Sequence, residues 1–299
     1  MWLEDTYSEA ATPLVEAILQ APASASVGGM ADDDLRDFER TEFTHDGKTR
    51  AVFRRGRGPA VIVIAEMPGI TPKVLDFARK VADIGCTVVL PHLFGDPGRD
   101  PYVSTASLIR QMASSMVPAC ISKEFTVLAT GRTSPVVDWL RALSRAEHER
   151  CGGPGVGAVG MCFTGGYALA MATDDVILAP VLSQPSMPAA LTAKQRRNID
   201  ISPTDLEVVK GRCARGLNVI GMRFKSDKNV PAERFEFLRE QLGDAFIAIE
   251  LEDADADPDA VMPPHSVLTQ HLIDEPGQAT RAALDQVLDL FRTRLLLAG

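Results

Sequence analysis

Val156–Ala172 reads VGAVGMCFTGGYALAMA and changes character at its centre. Its first residues are small and apolar, as in a strand buried on both faces, and its last are alanine-rich, as in a helix. Between them stands Gly160-Met161-Cys162-Phe163-Thr164-Gly165-Gly166. A reactive side chain held on a strained turn from strand to helix needs small neighbours two residues to either side. Gly160 supplies one. On the other side Thr164 stands where glycine is usual, followed by Gly165 and Gly166. Such a turn aims backbone N–H groups and the positive end of a helix at the site, favouring a thiolate at Cys162 and an oxyanion beside it. The alternative is an ordinary buried cysteine after a strand. The coincidence of strand, turn spacing and helix favours the nucleophile.

Outward from this segment the pattern repeats. Ala60–Ala65 (AVIVIA) and Thr87–Leu90 (TVVL) are unbroken apolar runs, and further strands are expected at Val156–Val159, Val176–Leu182, Leu217–Arg223 and Ala245–Glu250. Helices are expected at Pro72–Asp83, Val136–Glu149, Pro231–Leu242 and Thr280–Leu297. Strands alternating with helices imply a doubly wound, mostly parallel sheet with helices on both faces, and ligands at the carboxyl ends of its strands. Upstream, His45-Asp46-Gly47 between two polar–apolar stretches predicts a hairpin over 38–55. Residues 1–37 read as an extension, with an amphipathic helix over 3–19, and 38–299 as one domain. Residues 100–135 and 183–212 are long for plain connections and are expected to form cap-like insertions.

Composition narrows the function. The 299 residues are 45% hydrophobic and 24% charged, with a net charge of −9, which argues against nucleic acid as a partner. The clusters Arg54/Arg55/Arg57 and Lys194/Arg196/Arg197 read as solvated surface, and the acidic stretch 250–259 lacks the spacing and glycine of a calcium loop. Five cysteines without a CxxC pair are neither a disulfide framework nor a zinc site. Reduced thiols in a cytoplasmic protein are the simplest account, with no metal or cofactor expected. No run of about 18 uncharged apolar residues is present to span a membrane. The expected partner is a small molecule, and the chain a monomer or homodimer.

A thiol nucleophile needs a base, and the base an orienting partner. Of five histidines, His45 falls in the hairpin turn and His148 in a charged helix. His265 follows the last strand, between Pro264 and Ser266; His271, expected in the next helix, is its main competitor. His92, after TVVL, is placed to line the site. Asp227 follows the strand NVIGMRF and suits either the orienting carboxylate or a helix cap. Glu66 ends an apolar strand, where an unpaired carboxylate would be costly, so it requires a partner at the site or a route to solvent.

With these residues in place, the chain resembles the dienelactone hydrolase family of α/β-hydrolases. The likeness runs over roughly residues 38–298. It rests on Glu66 in VIVIAEMPG, the elbow GMCFTGG and His265 in PPHSV, with Asp227 between. The resemblance implies an α/β-hydrolase fold and a Cys162–His265–Asp227 triad cleaving an ester or lactone. It implies that Glu66 contacts the resting Cys162 thiol, and that the N–H groups of Met67 and Phe163 hold the oxyanion. Family members acting on a carboxylate-bearing lactone hold it with arginines, one shortly after the histidine. Thr269 stands there in HSVLTQHL, and Arg99 in PHLFGDPGRDPY is a few residues off register. A different substrate is therefore expected. Acyl transfer or carbon–carbon cleavage by the same residues, or a binding protein that has kept the fold, are the alternatives.

Overall fold

The computed structural model describes residues 32–121, 124–125, 131–187 and 192–297. The helix expected over residues 3–19 lies outside them. Eight strands form one sheet: β1 Glu39–His45, β2 Lys48–Gly56, β3 Ala60–Ile64, β4 Thr87–Pro91, β5 Val156–Met161, β6 Ile177–Ser183, β7 Val219–Phe224 and β8 Phe246–Leu251. Their order is β1-β2-β4-β3-β5-β6-β7-β8. The β1–β2 hairpin pairs Glu39 with Arg54 through to His45 with Lys48. Asp46 and Gly47 both take positive φ at its tip, as a tight two-residue turn requires. β2 runs antiparallel to β4, and the remaining pairs are parallel.

The helices are α1 Pro72–Asp83, α2 Thr105–Ile121, α3 Val136–Cys151, α4 Gly165–Met171, α5 Ala193–Arg196, α6 Pro203–Cys213, α7 Ala232–Leu242 and α8 Ala279–Phe291. α1 begins where expected because Thr71 caps it, accepting from the Val74 N–H, with Pro72 in the first turn. α8 ends earlier than expected, at Phe291, and continues as a π-helical turn, Arg292–Leu296. Alternation along the central strands feeds two cores. Ile62, Ile64 and Ala158 face Trp139, Leu143, Leu169 and Phe235, whereas Val61, Val63, Val159 and Met161 face Val74, Phe77, Leu284 and Phe291. A continuous apolar run is therefore what each strand needs.

After β3 the chain crosses to β4 on one side and then to β5 on the other. The carboxyl ends of β3 and β5 meet at this reversal, with Ile64 paired to Gly160. Crossovers that diverge in this way leave a crevice for a ligand. The 100–135 stretch carries α2, and 183–212 carries α5 and α6. No helix among the described residues is long and apolar enough to cross a membrane.

Candidate active site

Cys162 follows β5 directly and takes φ +53, a left-handed conformation that costs a side-chain-bearing residue roughly 1–3 kcal/mol. The surroundings hold it there. A Cβ on Gly160 would lie 2.2 Å from the Thr164 carbonyl oxygen, and one on Gly165 would lie 2.4 Å from Pro185 Cα. The demand for glycine after Cys162 thus falls at 165 rather than 164, which frees Thr164 to carry a hydroxyl. That hydroxyl accepts from the Met161 N–H (2.9 Å) and reaches the carbonyl oxygen of Ile64 (2.9 Å), pinning the elbow to the end of β3.

His265, in the loop after β8, accompanies Asp227, from the loop after β7. Its Nδ1 lies 2.6 Å from Asp227 Oδ2, and Cys162 flanks the imidazole as its other partner. Burial alone would lower the histidine pKa. Asp227 and Cys162 outweigh it and hold His265 well above the ordinary histidine range. Burial would likewise raise Asp227, but the imidazole and the Asn229 N–H keep it below the usual carboxylate value. That N–H donates to Oδ1 over 2.9 Å, so the two carboxylate oxygens have separate partners.

His271 lies in a turn, not a helix, and does not compete for the role of base. Its Nδ1 accepts from the backbone N–H groups of Ser266 (3.0 Å) and His265 (3.4 Å), and its Nε2 donates to the Met262 carbonyl (2.9 Å). This neutral ring clips the His265 loop, and burial lowers its pKa.

The expected contact from Glu66 to the resting thiol is replaced by a different arrangement. The buried Glu66 carboxylate accepts from Gln184 Nε2 (3.0 Å), Ser266 Oγ (2.6 Å) and Thr269 Oγ1. Three neutral donors satisfy it where it stands, so it ties the end of β3 to the His265 loop. Thr269, at the position where an arginine was expected, is one of the three. The Cys162 sulfur is instead met by Ser186, whose Oγ lies 3.0 Å from Sγ.

The remaining expected residues divide. Met67 follows Glu66 just past β3 and Phe163 is the middle residue of the 3-10 turn Cys162–Thr164, so their N–H groups lie just beyond adjoining strand ends. Arg99, the off-register candidate for holding a substrate carboxylate, takes the alternative place of a solvated loop arginine. Its guanidinium pairs with Asp32 and its side chain is 62% exposed, because the 32–33 backbone docks against the 98–100 loop. His92 Nε2 bonds the Gly95 carbonyl (2.7 Å) and shapes the loop after β4.

Sequence reasoning missed four residues besides Thr164. Ser186 and Gln184 lie just past β6, at the same carboxyl edge as the others, and that position is the one signal the sequence offers for them. Tyr102, in the short turn Pro101–Val103, senses both Glu66 and Cys162. Burial first, and then those two groups, raise its pKa, so it remains a neutral phenol. Arg234 on α7 is fully buried and donates to the carbonyls of Asn198 (2.6 Å), Pro185 (2.8 Å) and Asn229 (2.8 Å). It thereby fixes the loops carrying Ser186 and Asp227. Among the described residues, no group of three or more His, Cys, Asp or Glu side chains is placed to hold a metal ion.

Residues 48–200 match the profile of the dienelactone hydrolase family. Three solved structures share the fold. A dienelactone hydrolase candidate from Klebsiella pneumoniae is 17% identical over 85% of this chain and 97% of its own, with a TM-score of 0.53. A dienelactone hydrolase-like promiscuous phosphotriesterase from metagenomic libraries is 16% identical over 86% and 98%, with a TM-score of 0.51. A zinc-bound, cold-adapted esterase from an Arctic intertidal metagenomic library is 15% identical over 90% and 99%, with a TM-score of 0.50. No curated protein matches the chain.

Proposed function

From the premise that the chain belongs to the dienelactone hydrolase family, we propose that it hydrolyses a small ester or lactone through an acyl-thioester on Cys162. His265 takes the thiol proton, and the sulfur attacks the carbonyl carbon. The N–H groups of Met67 and Phe163 hold the oxygen that becomes negative. The tetrahedral adduct collapses, and the alcohol leaves with the proton from His265. Water, deprotonated by the same imidazole, then attacks the thioester and releases the acid and free Cys162. Asp227 keeps the imidazole in the working tautomer throughout.

One observation carries this reading: His265 stands between Cys162 at its strained turn and Asp227 at 2.6 Å. An intact trio in this order is hard to reconcile with a fold kept only for binding. Thr269 turns its hydroxyl to Glu66 and supplies no cation for a substrate carboxylate, which supports a substrate other than a carboxylate-bearing dienelactone. The test is hydrolysis of 4-nitrophenyl esters by wild type, Cys162→Ala and Cys162→Ser, with a thiol alkylator as inhibitor. The alanine variant should lose at least a thousandfold in kcat/KM. Activity surviving in Cys162→Ala would remove the nucleophile from the mechanism.

A further inference from the structure

The loop after β6 is held against the elbow by more constraints than a connection needs. Gln184 takes φ +34. Pro185 packs so closely on Gly165 that a Cβ there would lie 2.4 Å from Pro185 Cα. The buried Arg234 guanidinium holds the Pro185 carbonyl (2.8 Å), and the Ser186 N–H donates to the Cys162 carbonyl (2.9 Å). The outcome is one placed hydroxyl. Ser186, 8% exposed, sets its Oγ 3.0 Å from the Cys162 sulfur.

We propose that Ser186 is a hydrogen-bond donor to the Cys162 sulfur, stabilising its anion while His265 holds the proton. This deepens the hydrolase reading above and rests on it. The proton passes from Sγ to the imidazole, and Ser186 keeps its own proton while sharing it with the sulfur. When the sulfur–carbon bond forms, the charge moves to the carbonyl oxygen and the Ser186 bond weakens. The hydroxyl therefore favours the waiting anion more than the attacking one. It raises the fraction of anion and lowers the reactivity of each, since nucleophilicity falls as a thiolate becomes less basic. The other titratable groups near the sulfur are His265 and Tyr102, with Glu66 and Asp227 behind them; all four stay in place when Ser186 is altered.

The test is the pH dependence of Cys162 alkylation by iodoacetamide, followed by mass spectrometry, in wild type, Ser186→Ala and Ser186→Thr. Losing one hydrogen bond to a charged sulfur should move the alkylation midpoint of Ser186→Ala up by about one pH unit. The two profiles then cross. Below both midpoints the alanine variant reacts roughly three- to fourfold more slowly, and on the alkaline plateau about threefold faster. Ser186→Thr, which keeps the hydroxyl, should hold the wild-type midpoint. A merely loosened elbow would change rates at every pH without a crossing. An unmoved midpoint in Ser186→Ala overturns the proposal. Alkylation is read on the sulfur itself, so a wild-type protein that turned over no ester would refute the hydrolase reading separately.

Discussion

Asp227→Asn separates a working triad from a turn that merely looks like one. Asp227 has two jobs in the structure, and asparagine is suited to one of them. Oδ1 accepts from the Asn229 N–H over 2.9 Å and Oδ2 meets His265 Nδ1 at 2.6 Å. The amide of asparagine must keep its oxygen on the Asn229 N–H, since its NH₂ group cannot accept a hydrogen bond there. The NH₂ group then faces Nδ1, which has to become the acceptor. The proton of the neutral ring moves to Nε2, the nitrogen that should receive the thiol proton, and the base is blocked. The same exchange of tautomer in a serine triad costs on the order of 10⁴ in rate. A loss of roughly 10³–10⁴ in kcat/KM, or about 4–5.5 kcal/mol of transition-state stabilisation, is expected here. The turn itself should survive, so the melting temperature should change little. The assay is kcat/KM on 4-nitrophenyl acetate beside a thermal melt. If Asp227→Asn kept activity within tenfold of wild type, the carboxylate would be a turn-capping group and the orienting role would fail.

Three further outcomes follow from the same geometry. Glu66→Ala leaves three buried donors without their acceptor and should destabilise the fold by about 2–4 kcal/mol in urea titration. Its rate of Cys162 alkylation should change less than threefold, whereas a large acceleration would restore Glu66 as the guard of the thiol. Gly165→Ala drives a methyl group into the Pro185 backbone, and a loss of roughly 1–3 kcal/mol in denaturant stability is expected; a neutral result would mean that the 184–186 loop yields freely. His271 has a folded pKa below its unfolded value of about 6.5. The unfolded chain therefore binds more protons just below that pH, and stability is present above it and lost as pH falls through it, by up to about 1.4 kcal/mol per pH unit. His271→Gln should flatten the dependence of melting temperature on pH between 7 and 5, and an unchanged slope would show that another group carries it.

Much of this arrangement was legible in the sequence for reasons of local physics. AVIVI and TVVL are short β-branched runs that suit strands buried on both faces, and Asp46-Gly47 can adopt the two positive φ values of a tight hairpin. The elbow announced itself because a strained turn needs small residues at set distances. What stayed hidden depends on contacts made across the fold. Arg234 lies in AERFEFLREQL, where an arginine among glutamates reads as surface, yet the carbonyls of Pro185 and Asn198 from two distant loops, and of Asn229 just upstream, close over it. Glu66 declared that it needed a partner, but its identity was decided by Ser266 and Thr269, some 200 residues away. Ser186 gave no signal beyond its place just past β6, because a serine after a proline is ordinary until its loop is pressed onto Cys162. The shortened α8 was likewise invisible, since the apolar spacing of Thr280–Leu297 does not distinguish an α-turn from a π-turn.

The sheet order has a temporal consequence. In the proposed mechanism the nucleophile sits at the end of β5, its hydroxyl partner after β6, its acid after β7 and its base beyond β8. A ribosome adding about 5–20 residues per second exposes Cys162 roughly 5–20 s before His265 emerges. Throughout that interval Cys162 waits without the imidazole proposed to take its proton. On that mechanism chemical potency is the last property acquired during synthesis, and a product truncated before His265, however compact, would be born without it.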